Sequence, residues 1–140
     1  MSIKPITTTA ALTLKRNVHA GAWVVLDNAT GKIITLPASA GTGDKYKVYV
    51  KTTVSSGNHV IQVANGTDVM FGGVALSTDI GGTNMLSNGT NDTITMNGGT
   101  QGGLAGSWVT FEDVVTGFWK IEGFLVCTGT EATPFSAAVS

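Results

Sequence analysis

The residues that could do chemistry in this chain are few and far apart. Its 140 residues include two histidines, His19 and His59, and one cysteine, Cys127. Nucleophilic catalysis needs a base beside Ser or Cys and a third group that orients the base. No Gly-x-Ser-x-Gly turn is present. His59 opens an apolar run just after Gly57-Asn58, and His19 sits in the loop-like Asn17-Val18-His19-Ala20-Gly21. Both read as structural histidines, and Cys127 as a buried, inert thiol. A structural zinc site wants four Cys or His ligands, more than the chain holds. Gly41-Thr42-Gly43 runs into Asp44-Lys45 and a strand rather than a helix N-terminus, so it is not a phosphate loop. Paired carboxylates for glycoside hydrolysis would have to be Glu112 and Glu122, on the two arms of one candidate hairpin. There they read as solubilising residues. No enzyme, cofactor or metal is expected.

Calcium is the nearest exception. Gly89-Thr90-Asn91-Asp92-Thr93-Ile94, followed by Gly98-Gly99, resembles one copy of the calcium-binding nonapeptide repeat of secreted toxins. That motif works only in stacked copies, each completing its neighbour's site. Here there is one imperfect copy, and Asp92 and Asp79 are its candidate ligands.

Composition narrows the partners. The formal net charge is -1, only 12% of residues are charged, and 19 are glycine. Nucleic-acid binding needs clustered Lys and Arg. The densest basic run, Lys45-Tyr46-Lys47-Val48-Tyr49-Val50-Lys51, alternates with apolar residues and reads as one solvated strand face. Met1-Ser2-Ile3-Lys4-Pro5 lacks the apolar run of a signal peptide, and no apolar stretch is long enough to span a bilayer. Neither a nucleic-acid nor a membrane partner is expected. The Asn-x-Thr sequons at Asn28, Asn65, Asn88 and Asn91 read as accidents of Asn- and Thr-rich turns.

The elements that must position these residues are strands. Ala22–Leu26 and Lys32–Leu36, separated by Asp27-Asn28-Ala29-Thr30-Gly31, predict a hairpin that Pro37 stops. Tyr46, Val48 and Val50 alternate with Lys45, Lys47, Tyr49 and Lys51, the period of a half-buried strand. His59–Val63 is expected to pair back onto it after Ser55-Ser56-Gly57-Asn58. Ser107–Glu112 and Phe118–Gly123 predict a last hairpin, with Trp108 and Trp119 as candidate core anchors. Within residues 65–106 the strand candidates are short, Val69–Phe71 and Thr93–Met96. Its glycine density predicts long loops, ordered by contacts with neighbouring chains. No segment has helical periodicity. The fold class expected is all-β: a single antiparallel β-sandwich or jelly-roll-like domain over residues 10–127. Extended arms at 1–9 and 128–140 would add strands to neighbouring chains through Ile3, Pro5, Ile6, Pro134 and Phe135.

The hairpin segments carry a family resemblance. Gly21–Asp27, Gly31–Pro37, Gly41–Val50 and Ser56–Ile61, closed by Gly106-Ser107-Trp108-Val109 and Phe118–Gly123, resemble virion proteins of tailed bacteriophages. Residues 68–103 lie outside the resemblance. It implies a capsid decoration (cement) protein: a homotrimer, made in the host cytoplasm, bound to the major capsid protein on the outer head surface. The alternative it implies is a tail-fibre or spike-associated protein that binds a receptor or glycan, with Trp23, Tyr49, Asn58 and Gln62 as a sugar platform. A small hydrolase would have to draw on Glu112, Glu122, Asp113 or His59.

Overall fold

The computed structural model describes residues 3–140. The chain is all-β, folded as two mixed sheets that share one core. Its strands are β1 (Ile6–Thr8), β2 (Leu12–Thr13), β3 (Trp23–Leu26), β4 (Ile33–Thr35), β5 (Lys45–Val50), β6 (His59–Gln62), β7 (Val69–Thr78), β8 (Gly81–Leu86), β9 (Thr93–Met96), β10 (Trp108–Val115), β11 (Phe118–Val126) and β12 (Phe135–Ser136). One sheet has the order β1-β3-β5-β10-β11-β7-β8 and the other β12-β9-β6-β4-β2. A one-turn helix, α1 (Arg16–His19), precedes β3.

The sheets are mixed, where an antiparallel sandwich was expected. The first six strands change sheet at every step, so β1, β3 and β5 stack parallel in one layer and β2, β4 and β6 in the other. The expected hairpins 22–26/32–36 and 45–51/59–63 therefore do not form. Their turns are corners that carry the chain across the core. Two apolar runs joined by turn residues fit both geometries. Here Val24 and Leu26 of one layer and Ile34 and Leu36 of the other are all buried in the shared core.

The corners stack on one another. Ser55 and Ser56 N–H both donate to the Ala29 carbonyl, and Gly31 N–H donates to the Ser56 carbonyl. A Cβ on Gly31 would stand 2.1 Å from the Asn58 carbonyl oxygen, so only glycine fits this contact. His59, fully buried beside it, accepts the Lys32 N–H on Nδ1 at 3.1 Å.

The last hairpin forms as expected and extends to β10–β11, with a bulge between Asp113 and Val115. Residues 65–106 depart from the sequence reading in part: Thr93–Met96 forms β9 as expected, but Val69–Phe71 runs on to Thr78 as β7, and β8 was not foreseen. Gly72-Gly73 and Gly81-Gly82 sit inside β7 and β8 rather than in loops. Gly72 has φ +137, and a Cβ there would meet the Ile121 carbonyl oxygen at 2.1 Å. Glycine here lets β7 lie parallel against β11.

Both terminal segments fold onto their own chain. β1 pairs with β3, and β12 with β9. Phe135 is in the core and Pro134 is buried. Ile6 is half-buried, and Ile3 and Pro5 are exposed. Of the two tryptophans expected in the core, Trp119 is 1% exposed and stacks edge-on to Tyr46 at 5.7 Å. Trp108 is half-buried on the outside, because the register of β10 turns Val109, Phe111 and Asp113 inward. Truncating Trp119 to alanine is expected to cost about 3–5 kcal/mol of unfolding free energy. Trp108→Ala should cost well under half of that. Urea unfolding of both variants checks the difference, and equal losses would contradict it.

Candidate functional site

The outer face of the seven-stranded sheet carries the strongest concentration of exposed aromatic surface. Strand register places Val25, Tyr49, Trp108, Phe124, Ala75 and Asn84 in one row across the sheet. The next row runs Trp23, Lys47, Thr110, Glu122, Gly73 and Leu86. Trp23 leans over β5 so that its ring meets Tyr49 and Trp108 edge-on, each at 6.4 Å between centroids. Lys47 Nζ lies 5.1 Å from the centre of the Trp23 ring, a cation–π contact. These rings, with Pro5, Val25, Thr110 and Glu122, line an open groove of about 620 Å³. A second, smaller groove of about 380 Å³ shares Trp108 and Glu122 and runs on towards β7 and β8.

The groove offers mainly apolar contact surface. Its walls are aromatic and aliphatic, with the Glu122 carboxylate and the hydroxyls of Tyr49 and Thr110 among them. Aromatic surface of this kind, left uncovered, is the usual energetic centre of a protein interface. Trp23 and Tyr49, two of the four residues considered for a sugar platform, meet here. Asn58 and Gln62 do not: they belong to a corner and to β6 of the other sheet. Trp108 and Glu122 were not among those four. The signal was available in the alternation of β5, which already turned Tyr49 outward, and in the outward parity of Glu122.

Of the residues weighed for catalysis, Glu112 and Glu122 are diagonal neighbours on the outer face of the β10–β11 hairpin, while Asp113 points inward and His59 lies in the other sheet. Among the described residues no group of three or more His, Cys, Asp and Glu side chains could hold a metal ion. Asp79 lies in the β7–β8 turn. Asp92 is buried, and its Oδ1 accepts the Thr93 hydroxyl and the N–H groups of Ala138 and Val139, fastening the C-terminal segment. Glu112 lies between Lys45 and Lys120 in strand register on the outer face. His19 Nδ1 accepts the Lys15 N–H across α1. Burial pushes the His59 imidazole below its ordinary pKa and the Cys127 thiol above its own, so the histidine stays neutral and the thiol protonated.

Asp113 is the most tightly held of these groups, a role that its place in a strand does not announce. It points inward from β10 beside the bulge. It accepts N–H donations from Ala40, Gly41 and Thr42, and the hydroxyls of Ser39 and Thr42. Buried Asp68 receives the Ser39 N–H at 2.9 Å, which ties the same loop to the start of β7. Ser39 is thus a fastening point, with no histidine beside it among these partners. Burial alone would raise the Asp113 carboxyl, but the donors from the loop outweigh it and hold the group at about 2. Compared with protein-family models, with curated proteins and with solved structures, the chain matches none.

Asp113 sets an acid dependence of stability. Its pKa is lower folded than unfolded, so between the two values the unfolded chain binds the extra proton. The stabilisation is complete above the unfolded pKa of 3.8 and is lost as pH falls towards 2. The difference corresponds to about 2 kcal/mol. Asp113→Asn should be less stable at neutral pH and should lack this part of the acid slope. Urea unfolding of both proteins from neutral pH down to about pH 2 reads it, and parallel pH profiles would refute the clamp.

Proposed function

We propose that the chain is a structural protein of a tailed-phage virion. It decorates the outer surface of the head by seating the Trp23–Tyr49–Trp108 groove on the major capsid protein. The observation that carries this reading is the convergence of three aromatic side chains, from three strands, on an uncovered sheet face. The resemblance of the strand segments to phage virion proteins supplies the partner. The fold is suited to the task. Its glycine-rich segments are strands or anchored turns, and its terminal strands β1 and β12 pair within the chain, so a rigid surface meets the capsid with little ordering cost on binding. Several modest contacts made by linked copies add up through avidity.

A second reading rests on the same groove. Trp23 and Tyr49 beside Glu122 and Thr110 would also suit a sugar ring, as in a tail-associated receptor-binding protein.

Gold-labelled antibody on intact particles separates the two. Label over heads is expected, whereas label confined to the tail tip would sink decoration. Trp23→Ala and Trp108→Ala lie outside the core. Each is expected to weaken binding to heads stripped of the protein by tenfold or more, on the order of 2 kcal/mol for an aromatic anchor. Retained head binding in both variants would remove the groove from the interface. Glycan-array binding lost in the same variants would favour the second reading.

A further inference from the structure

The edge of the larger sheet at β8 is the feature that neither groove explains. The other sheet edges are blunted by their shortness: β1 has 3 residues, and β2 and β12 have 2 each. β8 is 6 residues long, Gly-Gly-Thr-Asn-Met-Leu, and pairs with β7 alone. It has no charge, no proline and no register break along its pairing. Soluble proteins use those devices to keep a free edge from pairing with another chain.

The backbone phase of this edge can be read from its neighbours. Ser87 N–H donates to the Gly72 carbonyl at 3.0 Å, while Cys127 N–H donates to the Ser77 carbonyl at 2.8 Å from the other side of β7. Antiparallel alternation then turns the main-chain groups of Gly81, Thr83 and Met85 towards β7. Those of Gly82, Asn84 and Leu86 are left facing the open edge. The side chains of the same three positions share the outer face of the sheet, level with Ser77, Ala75 and Gly73.

We propose that two copies of the chain pair antiparallel through β8, about a twofold axis at Asn84, and so continue the sheet from one copy into the next. That register sets Asn84 against Asn84 of the partner subunit, and Leu86 against Gly82 of the partner subunit. The pairs formed by positions 82, 84 and 86 are those whose N–H and C=O groups face the edge, so each of them can exchange both of its hydrogen bonds, while Thr83 and Met85 form the non-hydrogen-bonded pairs between them. Leu86, 77% exposed in the single chain, comes to lie beside a glycine that leaves room for it. The amides of the two Asn84 side chains meet on one face and can hydrogen-bond each other. A self-complementary edge closes at two copies, in contrast to the threefold assembly that the resemblance implies. The pairing is independent of the capsid reading, since it concerns the protein alone.

One strand of contact is a small interface, so association in the micromolar range is expected. Light scattering on the isolated protein from about 1 to 100 μM tests it. The mass should rise towards twice the 14.3 kDa of the chain. Asn84→Pro removes an N–H that faces the open edge and leaves the bonds to β7 intact. It should weaken association at least about tenfold. Asn84→Lys sets two ammonium groups against each other at the axis. It should weaken association comparably at low salt and less at high salt. Far-UV circular dichroism confirms that each variant is folded, and Asn84→Lys decides alone if the proline variant is not. A monomer at the highest concentration, a mass of three chains, open-ended growth, or wild-type association in the folded variants would overturn the proposal.

Discussion

The structure depends on the corners at which the chain crosses from one sheet to the other. Through β6 each strand hands over to the opposite layer, so neither layer is complete until its neighbours have been laid down. A crossing chain must bury backbone at the corner, and buried N–H and C=O groups need partners. Stacking supplies them: the corner at residues 27–32 bonds to the corner at 53–58 through Ala29, Gly31 and Ser56. Gly31 is the sterically critical residue, since any side chain would strike Asn58. His59 then seals the stack as a neutral side chain whose Nδ1 takes the Lys32 N–H.

The same logic orders segments that glycine would otherwise leave loose. Buried polar side chains act as fastening points for main chain. Asp113 gathers the N–H groups of residues 40–42, Asp92 takes those of Ala138 and Val139, and Ser107 takes those of Gly103 and Val126. Each is a buried acceptor that holds main-chain N–H groups of an adjoining segment. Removing the acceptor would cost that segment its anchor.

What the sequence disclosed and what it hid follow from these two features. Period-two alternation identified β5 and the β10–β11 hairpin, because it depends only on which side of a strand meets the core. It could not say which strand lies next to which. Asp27–Gly31 serves a corner as well as a hairpin, and the choice is made by distant contacts between Gly31 and Asn58. Glycine density misled for a related reason: Gly72 is required by a close approach to Ile121, not by a turn. The outer aromatic site was half visible. Tyr49 was turned outward by its alternation, but Trp23 and Trp108 come together only because β3 and β10 flank β5. Asp113 was hidden altogether, since a lone acid in a strand does not announce the loop that will fold over it.

The larger groove and the β8 edge lie on one sheet but draw on different strands, with the smaller groove between them. The groove centres on β3, β5 and β10, while β8 is several strands away at the border. A twofold axis normal to the sheet leaves the outer faces of both copies pointing the same way. Two grooves would then face a single underlying surface, held at a fixed spacing by a continuous sheet. That geometry turns a weak contact at each groove into a linked pair, and the gain is set by effective concentration rather than by any new bond. A flexible link between copies would forfeit part of the gain, because the spacing would have to be ordered on binding. A rigid sheet edge with no charge to repel its copy gives the spacing in advance. On the proposed pairing, an uncharged edge and an uncovered aromatic face in one small domain would suit a protein that meets a repeating surface.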